Sequence, residues 1–217
     1  MPLVSGGSST SVRNHSLKIG GLLYVVATFQ FFVFELVAET LYHGYSVASN
    51  YISDLGATCI NPPSNSSCVV HQPSAQIFDA TVFLLGLILL VGAFCVYRGT
   101  RKKPYFVISA IADLSILLIG VFPENTGWIH AIVSEVAFLF TGVSLILATT
   151  IVAGGIMRYL AVSFGILTVF FTLTDVPANI VGVGGQERML VLSALLGLLA
   201  LGGYLTSQDS PGRAAGA

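Results

Sequence analysis

Six long apolar stretches decide what this chain can fold into. They run over about residues 18–42, 75–97, 104–122, 129–153, 156–175 and 187–206. A helix rises about 1.5 Å per residue, so about 20 apolar residues cross the hydrocarbon core of a bilayer. Backbone N–H and C=O groups in hydrocarbon must be paired within their own segment. Runs this long and continuous are therefore helices, not strands of a barrel. The composition agrees: 9% of the 217 residues are charged, against about 25% in a typical soluble domain. The reading is an all-α integral membrane protein, a six-transmembrane-helix bundle over 18–206 between flexible tails at 1–17 and 207–217. The first run is longer than the apolar core of a signal peptide and lacks a small-residue cleavage site, so it reads as a retained helix. The lipid bilayer is the expected partner. No basic tract interleaved with aromatics suggests nucleic acid, and nothing fixes an oligomeric state.

Orientation follows from the basic residues. Arg13 and Lys18 precede the first run; Arg98, Arg101, Lys102 and Lys103 fill the second connection; Arg158 marks the fourth and Arg213 the tail. The first and third connections hold no Lys or Arg, and the fifth has only Arg188. This alternation places both termini in the cytoplasm and the long first connection, 43–74, outside. That loop holds Cys59 and Cys68, which pair if it faces an oxidising compartment and are otherwise two free thiols. Asn65-Ser66-Ser67 is a glycosylation sequon there.

The loop opens on Tyr45-Ser46-Val47-Ala48-Ser49-Asn50-Tyr51-Ile52-Ser53-Asp54-Leu55-Gly56. Hydroxyls, an amide and a carboxylate fall within twelve residues, and a Gly follows that can turn the chain. Ionisable residues at membrane depth face a bundle interior or an aqueous cavity. Glu35, Glu39 and His43 are four apart, one stripe on the outer third of the first helix. Asp79, His130, Glu135 and Asp175 fall near the outer ends of the second, fourth and fifth helices. With Asn50, Ser53 and Asp54 from the loop, these residues form a candidate outer polar layer. Thr168, Thr172, Asp175 and Asn179 read as one face of the fifth helix, and Asp113 lies alone near mid-membrane. Interface residues merely touching water, or a structural polar network, are the plain alternatives. Clustered carboxylates cannot all ionise in low dielectric. Neutral His and carboxylates suit a divalent metal, but no strong ligand spacing is present. No pattern names a cofactor.

Three motifs carry a resemblance. They are Tyr45-Ser46-Val47 leading to Ile52-Ser53-Asp54-Leu55-Gly56, then Gly120-Val121-Phe122-Pro123-Glu124 followed by His130, then Gly184-Gly185-Gln186-Glu187-Arg188. With these the chain resembles the domain of unknown function nine-nine-eight family of prokaryotic membrane proteins. The resemblance implies a six-helix bundle in a prokaryotic plasma membrane and supplies no activity. Ile52-Ser53-Asp54 after a first helix is also similar to the damage-regulated autophagy modulator type of six-helix protein. The Ser, Asp and His cluster is similar to alkaline ceramidase and adiponectin-receptor hydrolases. Those have seven helices and three zinc-binding histidines, whereas here only His130 lies within a helix.

Three functions compete. The first is an outward-facing site that binds or senses a lipid head group, small solute or partner. The second is a lipid-directed hydrolase or transferase, and the third a cation- or proton-coupled transporter.

Overall fold

The computed structural model describes residues 7–60, 67–175 and 177–208. Among the described residues, six helices are long and apolar enough to cross a membrane: α1 (Gly7–Leu41), α2 (Ser74–Thr100), α3 (Lys103–Val121), α4 (Trp128–Leu147), α5 (Ile156–Leu173) and α6 (Ala178–Ser207). Each helix packs on the next, and α6 closes against α1. The six thus form a ring, with α4 also touching α6.

Two helix starts differ from the sequence reading. α1 begins at Gly7, so residues 7–17 belong to the first helix and not to a flexible tail. Arg13 explains the extension: its Nε donates to the Gly99 carbonyl at 3.0 Å, tying this turn to the end of α2. α6 begins at Ala178, nine residues before the expected start at 187. Its Gly-rich beginning resembles a turn in sequence, yet the chain leaves helical geometry only at Gly182, where φ is 79°. Asn179 consequently lies on α6, and the four-residue ladder expected on the fifth helix stops short of it. α5 ends at Leu173, and Thr174 is extended.

The α1–α2 connection folds over one end of the ring. It contains a short 3₁₀ turn, Ser53–Leu55, and an antiparallel hairpin of β1 (Thr58–Ile60) and β2 (Ser67–Val69). Cys59 and Cys68 are directly opposed in that hairpin, their sulfurs at the disulfide distance of 2.10 Å. The Asn65 sequon lies outside the described residues, as do 1–6 and 209–217 of the tails. Tyr42 Oη meets Thr58 Oγ1 at 2.9 Å, and the Tyr42 ring packs 4.0 Å from His71. Ser74, fully buried at the start of α2, donates to the Leu55 carbonyl at 3.1 Å. These bonds fix the loop to the helices at its two ends.

The α2–α3 seam shows how the ring is held. A Cβ at Gly86 would come 2.2 Å from Leu117 N and 2.6 Å from the Asp113 carbonyl. Only glycine permits this backbone approach, and dispersion across such seams drives helix association in lipid.

Candidate functional site

The loop docks on α6 through its backbone. A Cβ at Gly184 would lie 2.0 Å from the Asn50 carbonyl oxygen and 2.5 Å from that of Val47. The Gly184 N–H donates to Ala48 O at 3.2 Å. Irregular backbone turned toward a helix needs donors for its carbonyls, and Arg188 supplies them one turn later. Its Nη1 donates to Val47 O at 3.0 Å, Asn50 O at 3.4 Å and Gly184 O at 3.2 Å. Its Nη2 pairs with Glu39 and donates to Tyr45 Oη at 2.6 Å. The guanidinium carbon stands 5.3 Å from the Tyr45 ring centre, a cation–π distance. Tyr45 in turn donates to Tyr51 O at 2.9 Å. Burial raises the Tyr45 phenol, against the pull of Arg188, and it acts as a neutral donor. One cation thus latches α1, the loop and α6 together.

Inside this latch the loop is self-bonded. Asp54 is 5% exposed. Its Oδ2 accepts from Asn50 Nδ2 at 3.0 Å and from Tyr51 N at 2.9 Å, while Asn50 Oδ1 accepts from Ser46 N at 3.0 Å. The Ile52 N–H points away from the loop and donates to Glu187 on α6. Asp54, Glu124 and Glu187 are close enough to repel one another. Glu124, in the 3₁₀ turn Glu124–Thr126, is 5% exposed, and its Oε2 makes no hydrogen bond. Burial pushes its carboxyl up to about 7; Asp54 adds to the rise and a hydrogen bond from Ser53 opposes it.

His130 stands two residues into α4. Its Nδ1 lies 2.8 Å from the Phe122 carbonyl. A carbonyl only accepts, so Nδ1 carries the proton and Nε2 of the neutral ring is an acceptor. Ser134 Oγ, one turn on, is 3.5 Å from that Nε2.

Beneath the loop lies a chamber whose envelope, open solvent at its mouth included, spans about 600 Å³. Its walls come from α1, α2, α3, α4 and α6, with Phe31, Phe78, Val82, Ile116 and Leu195 among them. α5 stays outside. The polar groups on the lining are Ser53, His130, Ser134, Glu187 and Thr141. The first four sit at the loop end. Thr141 lies deeper, its hydroxyl donating to the Ala137 carbonyl at 2.7 Å. A side cleft between α4, α5 and α6, whose envelope of about 1000 Å³ includes open solvent, also reaches Ser134, Phe138 and Glu187. Its rim carries Tyr51, Glu135, Asp175 and Gln186.

The residues expected to form one polar layer divide into three groups. Asn50, Ser53, Asp54 and His130 belong to the loop and chamber end. Glu39 belongs to the latch, and Glu35 shares with it a groove between α1 and α6. Glu135 and Asp175 are exposed on the side cleft, where Asp175 Oδ1 is 3.5 Å from Gln186 Nε2. His43 leaves the stripe altogether: α1 ends at Leu41, and His43 is exposed in the turn beyond. Asp79 lies behind the loop, where a Cβ on Gly56 would come 2.8 Å from its Oδ1. Glu124, Glu187 and Arg188 are absent from the sequence-based set, although two of the motifs contain them. Deeper between α1, α2 and α3, Asp113 Oδ2 and Ser109 Oγ are buried without hydrogen bonds, and Tyr24 and Tyr105 pair at 3.0 Å. None of these four lines the chamber. Among the described residues, no group of three or more His, Cys, Asp or Glu is arranged to hold a metal ion.

The fold and this site define a multi-pass membrane protein with a capped interior chamber. The chain belongs to the family described as protein of unknown function (DUF998), whose family model matches residues 25–204. No curated protein and no solved structure matches it.

Proposed function

We propose that the protein binds an amphiphile in the chamber beneath the loop, with the hydrocarbon part along the apolar walls and the head at Ser53, His130, Ser134 and Glu187. The observation that carries this reading is the chamber's division: apolar along its length, polar at the capped end. Membrane ligand sites have this build, with a few polar groups fixing orientation. Both termini are cytoplasmic and the cap faces outward, because Arg98, Arg101, Lys102 and Lys103 lie at the opposite end from the loop. The membrane is a prokaryotic plasma membrane. A lipid-directed hydrolase or transferase is the second reading. Its support is Ser134 beside the acceptor nitrogen of His130, a pair whose 3.5 Å spacing must shorten for proton transfer.

Photo-crosslinking tests the binding. A long-chain alcohol bearing a diazirine near its tail labels chamber peptides around Phe31, Phe78 and Leu195. Labelling confined to outward-facing residues such as Phe29 and Leu36 defeats the reading. Orientation is tested separately, in a Cys95→Ala background. Thr100→Cys and Thr126→Cys label from opposite faces of the membrane; labelling of both from one face refutes it.

A further inference from the structure

We infer that the head of the chamber's ligand is a protonated amine, seated against Glu187 under the Ile52–Asp54 turn. This rests on the amphiphile reading and narrows it to one chemical class. The inventory of donors and acceptors at the loop end decides the class. At the loop end, the lining offers a carboxylate (Glu187), an imidazole lone pair (His130 Nε2) and two hydroxyls (Ser53 and Ser134). Ser53 is engaged with Glu124, and Ser134 faces His130. What remains is acceptor capacity. Glu124, bonded by Ser53, extends it: its Oε2 is buried and has no hydrogen bond. An unpaired buried acceptor calls for a donor.

The same inventory excludes an anionic head. Among the described residues, no Lys or Arg lines the chamber or the side cleft. Arg188 is the nearest cation by sequence, and both its terminal nitrogens are spent on the latch. A phosphate or carboxylate head would enter a low-dielectric pocket facing Glu187, with Asp54 and Glu124 close by and no partner. An ammonium has three donors and one positive charge. It relieves the repulsion among the three carboxylates, adds a charged donor to Glu187 beside the backbone N–H groups of Ile52 and Ser53, and offers a donor to His130 Nε2. The side cleft fits the same ligand, since Glu135, Asp175 and Glu187 line it from mouth to chamber.

The test uses the full-length protein in neutral maltoside micelles, titrated calorimetrically with dodecylamine, dodecanol and dodecyl phosphate. The three share one chain, so they differ only at the head. Dodecylamine is expected to bind about tenfold or more tighter than either other probe, the worth of one charge-assisted hydrogen bond. Glu187→Gln keeps an oxygen to accept from Ile52 N–H and lowers amine affinity about tenfold, leaving dodecanol within about twofold. Glu124→Gln provides a second, smaller reduction should Glu187→Gln fold poorly. Equal affinity for amine and alcohol, tighter binding of the phosphate, or an unchanged amine affinity in both folded variants overturns the inference. In each of those outcomes the amphiphile reading stands. Binding of none of the three probes brings down both.

Discussion

Gly86 and Gly184 meet the same steric demand in two regions of the molecule. At each, a Cβ would strike backbone, Leu117 N at 2.2 Å in one case and Asn50 O at 2.0 Å in the other. The partners differ. At Gly86 both sides are regular helices whose backbone groups are already paired, so the seam is held by contact alone. At Gly184 one side is an irregular loop with carbonyls to satisfy, and the seam is held by Arg188 and one backbone N–H. A contact seam between two spans cannot open without disrupting the ring. A polar seam between loop and helix can be cut while the ring stays whole. The bundle and its cap are thus separable in principle, and the following substitutions probe that separation.

The largest effect is expected at Gly86. Gly86→Val forces α2 from α3 and costs on the order of 3 kcal/mol or more, above the usual penalty for overpacking. A fall in thermal midpoint together with loss of monodisperse protein checks it; a native-like midpoint would show that the seam is looser than described. Arg188→Ala comes next. It leaves Glu39 unpaired and two loop carbonyls, those of Val47 and Asn50, without their donor, costing about 2–4 kcal/mol. The loss is expected at the cap, read as faster protease cleavage and hydrogen exchange over residues 45–57, with the helices' exchange unchanged. Arg188→Lys keeps the charge but not the fork, and restores only part of the protection. If cap and helices loosen together, the two are one cooperative unit.

Much of the bundle was legible in the sequence because a bilayer imposes a length on each span. All six apolar runs are helices, and α2, α3 and α4 begin within a residue of their expected starts. The ends that moved did so where local composition and tertiary contact disagree. Ser- and Gly-rich residues before Lys18 read as a tail, yet Arg13 binds the end of α2. The glycines before Glu187 read as a turn, yet most continue a helix whose first residues bear the loop. The site was less legible. Asn50 and Asp54 bond within the loop itself, four residues apart, and their segment was singled out. Glu39 and Arg188 are 149 residues apart and Ile52 and Glu187 are 135, so no local pattern carries them. One signal was available: Arg188 is the only Lys or Arg between Arg158 and Arg213, and a lone cation at an acidic end must find a carboxylate.

The hairpin gives a smaller effect. Cys59→Ser with Cys68→Ser removes a short covalent loop, worth about 2–3 kcal/mol in the chain-entropy view. The loss is expected to be largest over residues 58–71 in hydrogen exchange and smaller at the Ser53–Leu55 turn, which packs on β1 but is also held by Ser74 of α2 through the Leu55 carbonyl. Mass spectrometry without reduction first verifies the linked peptide; two freely alkylated thiols would reject the pairing.

The smallest effect depends on pH. Glu124 has its carboxyl raised in the fold from an ordinary 4.5 to about 7. The folded state therefore holds its proton more tightly than the unfolded chain does. Its contribution to stability is full below about 4.5, declines as pH rises, and is gone above about 7. Glu124→Gln removes that slope, so variant and parent are expected to diverge in thermal midpoint between pH 5 and 8, the variant being the more stable at the upper end. Parallel midpoints across the range would assign the unbonded Oε2 no role in the pH response.

The cap also has a consequence for the order of assembly. It belongs to the connection between the first two helices, but its anchor, Gly182 to Arg188, is in the last. During synthesis the loop emerges well before the helix that receives it. Until that final span is inserted, the Val47 and Asn50 carbonyls have no Arg188, Ile52 has no Glu187, and one wall of the chamber is missing. The chamber therefore forms only once α6 is in place, and a ribosome halted after the fifth span leaves a membrane-inserted product without it.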